Sequence, residues 1–579
     1  MKERIRVIIM LLIIIEFIVT TPFLAVSESM TIKPNSNEMN ESEKVDYTSK
    51  ITPTLQDVIQ EKPDKMIPVL IWMKDVDLSG VMSEALLSLN KDIDSLEELT
   101  SRKDISLDDF QKYIQTKRNL SSALYEEHNN RIVHDCFDGK DIIYISRYSP
   151  VVLLYLDVEE IVKVSQREEV MLIDYYFSEE NENEISIANS VTRASLVYPS
   201  YGYGGYGIKI GVLEESITNA YFPGVNVVSQ NGTVSAYQEP LNHVNSVVSI
   251  ISSIAPDAQY YIADNSVMSN FQAIEWLLSQ GVNIINASKK IDNDGCNTYG
   301  SVSKWLDHIA YNHDVHFVKS SGNEGETGVT SGGMAYNIVT VGNINDNRTL
   351  SYTDDDIATD SSFYYDYDNS HLTSKPDICA PGVGISTEFG TGSGTSCSAP
   401  QVAGAIALLC QGNPTLTIRQ DAVKAILTCS VNYSSPLTYV PSDSFYKYFG
   451  AGLLDTCGAV WVAENTRYVA SSISTNTSSK TYSFYVSSSD DRVRVSLAFL
   501  RNSSIGSSNH VGTSPNVVNL SDLDLRVYPP NSSTPIASST KLYNNVEIVD
   551  FEPTVSGTYT IVITNYSSSA TTYFGLAWK

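Results

Sequence analysis

Ser396 stands in the run Gly394-Thr395-Ser396-Cys397-Ser398-Ala399-Pro400, a small hydroxyl on a turn that opens into the apolar stretch Val402 to Leu409. Gly392 and Gly394 let the backbone approach a ligand closely and adopt angles closed to other residues. The apolar stretch reads as a buried helix whose amino-terminal end points at the serine, where a developing negative charge is stabilised. That combination suits nucleophilic attack with an anion held at a helix start. A serine hydroxyl is a weak nucleophile at neutral pH, so it needs an imidazole to take its proton and a carboxylate to fix the imidazole's tautomer. His243 and Glu214 supply these groups upstream, in the order acid, histidine, serine.

Each of the three sits at the end of a readable element. Residues 207 to 213 form a short apolar strand that ends at Glu214, and His243 precedes the helical pattern Val244, Val247, Val248, Ile250 and Ile251. Further strands are predicted over 282–286 and 315–318.

Over roughly residues 190 to 460 the chain resembles the subtilisin-like serine proteases, the subtilase family. Gly394 to Gly404 resembles the family's nucleophile motif at nearly every position, Ala380-Pro381-Gly382 the loop before it, and Ala255-Pro256-Asp257-Ala258 the segment after the histidine helix. Ser320-Ser321-Gly322-Asn323-Glu324-Gly325 resembles the family's Ala-Gly-Asn loop, which implies that the Asn323 amide helps bind the oxyanion. The resemblance also implies an extended peptide bound beside Ser288, Lys289, Ser320, Ser321 and Gly322.

Several positions depart from the family pattern. The acid motif reads Glu214-Glu215-Ser216-Ile217 where the family has Asp-(Ser/Thr)-Gly-Ile, so the orienting carboxylate is one methylene longer. The histidine motif His243-Val244-Asn245-Ser246-Val247 keeps only the catalytic position and one valine. Ser288-Lys289-Lys290 replaces Ser-Leu-Gly and adds bulk beside the cleft. These departures leave a pseudoprotease, a peptide- or protein-binding module, as the alternative to an enzyme. A sedolisin-like Ser-Glu-Asp arrangement would place a carboxylic acid where His243 stands.

Lys2, Arg4 and Arg6 precede the apolar run Val7 to Ile15, and Ala25-Val26-Ser27 offers small residues for cleavage, so residues 1–27 resemble a secretory signal peptide. About half of the 67 acidic residues fall before residue 190. Within 28–190, strand-like runs at 67–73, 151–156 and 170–174 flank a helical pattern at 158–164, similar to a subtilase prodomain that assists folding and inhibits the cleft. The acidic stretch Glu179 to Glu184 is expected to be the processed tether. Beyond residue 465, period-two runs at 481–486, 492–499, 523–528 and 557–563 predict an antiparallel β-sandwich, similar to the jelly-roll-like domain of many secreted subtilases.

The expected architecture is therefore α/β. A parallel sheet flanked by helices (191–465) follows a small α+β prodomain (28–190) and precedes a β-sandwich (466–579). No cofactor is required by this chemistry. Asp522 and Asp524 offer paired carboxylates that suit calcium as a structural ion. The seven cysteines show neither metal-site spacing nor a dense disulfide pattern, and Cys379, Cys397 and Cys410 read as small buried hydrophobes. A formal net charge of −28 argues against nucleic acid and anionic membranes as partners. The expected partners are protein or peptide substrates outside the cell and the chain's own prodomain as intramolecular inhibitor, with no stable membrane partner after signal cleavage.

Overall fold

Apolar runs without polar alternation need cover on both faces, and this chain supplies it with helices. The computed structural model describes residues 50–52, 55–56, 58–59, 66–137, 140, 142–175, 191–215, 225–231, 243–266, 268–291, 294–347, 352–365, 373–387, 389–432, 448–487, 492–502, 521–568 and 570–579. The expected signal peptide and the acidic tether at 179–184 lie outside the described residues.

The first sheet contains β1 (Ile67–Met73), β2 (Ile142–Ile145), β3 (Val151–Leu156) and β4 (Val170–Tyr175), antiparallel in the order β2-β3-β1-β4. Between β1 and β2 runs the long helix α1 (Leu107–Phe137), and between β3 and β4 runs α2 (Val158–Ser165), opened by a reciprocal capping box of Asp157 and Glu160. The period of two divides β1 between two partners. Val69, Ile71 and Met73 share a core with Ile132, Phe137 and Ile161 of the sheet's own helices, whereas Leu70 and Trp72 share one with Phe271 and Trp305 from further along the chain.

The central sheet places β5 (Lys209–Glu214), β6 (Val227–Asn231), β7 (Gln259–Asp264), β8 (Ile284–Ala287), β9 (His316–Ser320) and β10 (Val339–Asn345) parallel in the order β6-β7-β5-β8-β9-β10. At its edge, β11 (Asp356–Ile357) pairs antiparallel and β12 (Ile378–Pro381) parallel with β10. Helices α3 (His243–Ile254), α4 (Asn270–Ser279) and α5 (Ser301–His313) connect strands. A hairpin of β13 (Ile385–Thr387) and β14 (Gly390–Gly392) leads into α6 (Thr395–Gly412), followed by α7 (Gln420–Cys429) and α8 (Thr456–Glu464). In an open parallel sheet, ligands gather at the carboxyl ends of strands where the winding direction reverses. Here β5 has its successors β7 and β8 on opposite sides, so its carboxyl end at Glu214 is such a point.

The last part of the chain holds two antiparallel four-stranded sheets. One contains β15 (Tyr468–Ile473), β17 (Val493–Phe499), β20 (Val546–Phe551) and β22 (Thr572–Trp578). The other contains β16 (Ser479–Val486), β18 (Asp522–Tyr528), β19 (Ala537–Ser539) and β21 (Gly557–Ser567). Leu497, Phe574 and Leu576 of the first share one core with Leu525, Tyr559 and Ile561 of the second. Helix α7 lies so close to β22 that a Cβ on Gly575 would come within 2.3 Å of the Ala422 Cα.

Candidate active site

Three element ends bring the chemically capable side chains to one cleft. Glu214 closes β5, His243 opens α3 and Ser396 is the second residue of α6; all three are buried. Helices α3 and α6 pack directly, with Gly404 against Ile254, so the two helix starts that carry His243 and Ser396 are fixed side by side. A cleft of about 340 Å³ is lined by Glu214, His243, Ser288, Lys289, Ser320, Gly322, Asn323, Thr330 and Ser396, among others.

His243 Nδ1 lies 2.7 Å from Glu214 Oε2. A carboxylate only accepts, so Nδ1 carries the proton and Nε2 is left as the base of the neutral ring. Burial opposes protonation of His243, but the charge of Glu214 and its hydrogen bond outweigh burial and hold the imidazole above its ordinary pKa. The second oxygen, Glu214 Oε1, is buried without a hydrogen-bond partner among the described residues.

Asn323 is oriented by its neighbour. Its Oδ1 accepts from both the backbone N–H and the hydroxyl of Thr395, each at 2.9 Å. Because a backbone N–H donates only, the carbonyl end of the amide must face Thr395 and the NH₂ end is left for the cleft. The Thr395 hydroxyl in turn accepts from Gly322 N at 3.2 Å. Gly394 has φ +139°, in the region that favours glycine, and a Cβ there would sit 2.8 Å from Asn323 Nδ2.

Two departures from the family pattern answer each other. Lys289, which adds a long side chain beside the cleft, forms an ion pair with Glu215, the second acid of the altered acid motif, and donates to Asn265 Oδ1 at 2.8 Å. The charge next to the cleft is therefore matched locally.

Of the residues expected beside a bound peptide, Ser288, Lys289, Ser320 and Gly322 line the cleft. Ser321 is fully buried with its carbonyl accepting from Thr330 N, so its side chain faces the interior. Cys397 is buried beside Ile250 and Ile385. All seven cysteines are free thiols.

Among the described residues no group of three or more His, Cys, Asp or Glu side chains is placed to hold a metal ion. Asp524 is committed to Arg526 Nη2 at 2.8 Å, while burial and the neighbouring Asp524 push Asp522 up to about 6.

With nucleophile, imidazole, acid and amide donor around one cleft, the geometry agrees with the sequence comparisons. Residues 230–458 match the model of the subtilase family. Over that span the chain is similar to the subtilase family, and the relatives it matches include subtilisins and other serine proteases. It is 27% identical to subtilisin NAT of Bacillus subtilis subsp. natto over 291 residues, 45% of this chain and 67% of that protein. It is 28% identical to a subtilisin of Bacillus pumilus over 291 residues, covering 93% of that protein. A shorter stretch of 127 residues is 35% identical to the serine protease AprX of Bacillus subtilis, covering 27% of it. The family match begins after β5, so the Glu214-bearing strand of this chain lies outside it.

Sequence reasoning missed Thr395 as the residue that orients Asn323, Thr330 as a cleft residue and Lys319 beneath them. Only Lys319 left a signal, as a lone charge within the apolar strand β9.

Proposed function

We propose that this chain hydrolyses peptide bonds through Ser396, His243 and Glu214, with oxyanion support from Asn323 Nδ2 and the Ser396 backbone N–H. Ser396 Oγ attacks the carbonyl carbon while its proton passes to His243 Nε2, and the negative charge collects on the carbonyl oxygen. The C–N bond then breaks as His243 returns the proton to the leaving amine, and water repeats the sequence to free the acyl product. Glu214 keeps the imidazole oriented and stabilises its charged form. The observation that carries this reading is the buried 2.7 Å contact of Glu214 with His243 at the cleft shared by Ser396 and Asn323.

In this reading the peptide lies extended along Ser288, Lys289, Ser320 and Gly322. Residues 28–190 act as a prodomain that assists folding and inhibits the cleft, residues 466–579 form an accessory β-sandwich, and export by the first 27 residues delivers the enzyme outside the cell. Fluorophosphonate labelling tests the central claim: the full chain should be labelled at Ser396 and a Ser396→Ala variant should not. A correctly folded chain that stays unlabelled after proteolytic removal of residues 28–190 would instead indicate a peptide-binding pseudoprotease.

A further inference from the structure

We propose that Lys319 makes the cleft select an acidic side chain on the substrate residue whose carbonyl is attacked. The inference rests on the oxyanion roles of Asn323 and Ser396 given above. Those donors fix the attacked carbonyl, and the side chain of that residue branches from the next carbon, so it must lie beside the Gly322-Asn323 loop. Thr330 stands at this place: a Cβ on Gly322 would come 2.4 Å from Thr330 Cγ2. Ser320 forms the adjoining wall.

Directly behind both residues lies the ammonium of Lys319. The side chain is 1% exposed, and its Nζ donates to Ser320 O at 2.6 Å, Ser320 Oγ at 3.3 Å and Thr330 Oγ1 at 3.4 Å. No carboxylate pairs with it among the described residues, whereas Lys289 in the same wall is matched by Glu215. A buried ammonium without a counter-charge is unfavourable, and burial together with Lys289 and Lys290 draws Lys319 down to about 7.

A substrate carboxylate supplies what the wall lacks. Thr330 Oγ1 donates to Ser321 O at 3.2 Å, so its proton is committed. Ser320 Oγ accepts from Lys319, which turns the hydroxyl proton toward the cleft as a donor to an incoming anion. Glu324 and Asp360 also line the cleft, but Glu324 is exposed and Asp360 half-buried, so solvent screens their repulsion while Lys319 acts from the dry interior.

Matched peptide substrates that differ only in the residue before the cut, Glu, Gln, Leu or Lys, test this on the full chain. We expect kcat/KM for Glu to exceed that for the isosteric Gln by about tenfold or more, the effect of one charge-assisted hydrogen bond. Lys319→Met should bring the Glu-to-Gln ratio close to one, a readout that a general loss of activity does not move, and Lys319→Arg should retain part of it. A preference for Leu or Lys, or a ratio unchanged in Lys319→Met, overturns the inference. Binding of the same peptides to Ser396→Ala needs no turnover. Acid-selective binding with no fluorophosphonate labelling of the parent chain after removal of residues 28–190 would overturn the proteolytic reading while upholding Lys319, and labelling without acid selectivity would do the reverse.

Discussion

An imidazole that must accept a proton works only while neutral, so the partner that orients His243 also sets the pH at which it functions. Glu214 holds His243 above its ordinary 6.5 despite burial. The sign follows: as pH falls through that raised value the base is lost, so the acid limb of kcat/KM should lie above 6.5. Glu214→Asp restores the residue type common in subtilases, yet it retracts the carboxylate from a contact already at 2.7 Å. A displacement of about 1 Å costs about 100-fold. We expect Glu214→Asp to lower kcat/KM by about that factor and to shift the acid limb toward lower pH, both read from one pH–rate profile. A variant as active as the parent would mean that β5 can slide to compensate.

Helix starts place the chemistry, and their spacing depends on one glycine. Gly404 lies where α6 crosses α3, and a Cβ there would stand 2.8 Å from both Cβ and Cγ2 of Ile254. Gly404→Ala gains about 1 kcal/mol of helix propensity but forces an overpacked contact that costs about 1–3 kcal/mol. The expected outcome is a lower melting temperature together with slower labelling of Ser396, since the added methyl pushes the Ser396 helix away from the His243 helix. These elements were legible in the sequence because glycines, apolar periodicity and the lone polar residue at each end agree. What was not legible is what joins them: Lys289 meets Glu215 across 74 positions, and Thr395 meets Asn323 across 72. No local pattern carries such pairings. Lys319 did leave a signal, a lone charge in β9, but a lysine in such a strand reads as solvent-facing until the sheet order shows both faces covered.

On the scale of the whole molecule, the amino-terminal sheet is bound to the protease fold by more than apolar area. The run Ile67 to Met73 announced a strand, but a continuous apolar run cannot say that its two faces serve different partners, and that division emerges only once one face packs on Ile132, Phe137 and Ile161 and the other on Phe271 and Trp305. Across the resulting interface, Glu275 of α4 accepts from Ser146 Oγ at 2.5 Å, Trp305 Nε1 donates to Ser149 Oγ at 2.9 Å, and Lys117 pairs with Asp314 at 2.7 Å. Deepest is Arg118 of α1, fully buried, which donates to the carbonyls of His313 at 2.8 Å, Val282 at 2.8 Å and Asp314 at 3.3 Å.

Burial lowers Arg118 only to about 10, so it stays charged at neutral pH, and its removal leaves three buried carbonyls unpaired. If residues 28–190 are a prodomain, cutting the chain between 176 and 190 should therefore not release it. The two pieces should co-elute on size exclusion under native conditions. Arg118→Met keeps most of the side-chain volume and removes the donors, at a cost of about 3 kcal/mol or roughly 100-fold in the affinity of the nicked pieces. The nicked variant should accordingly separate at dilutions where the nicked parent remains whole. Equal retention of both would assign the affinity to the apolar contacts of Leu70 and Trp72 with Phe271 and Trp305 rather than to the buried guanidinium.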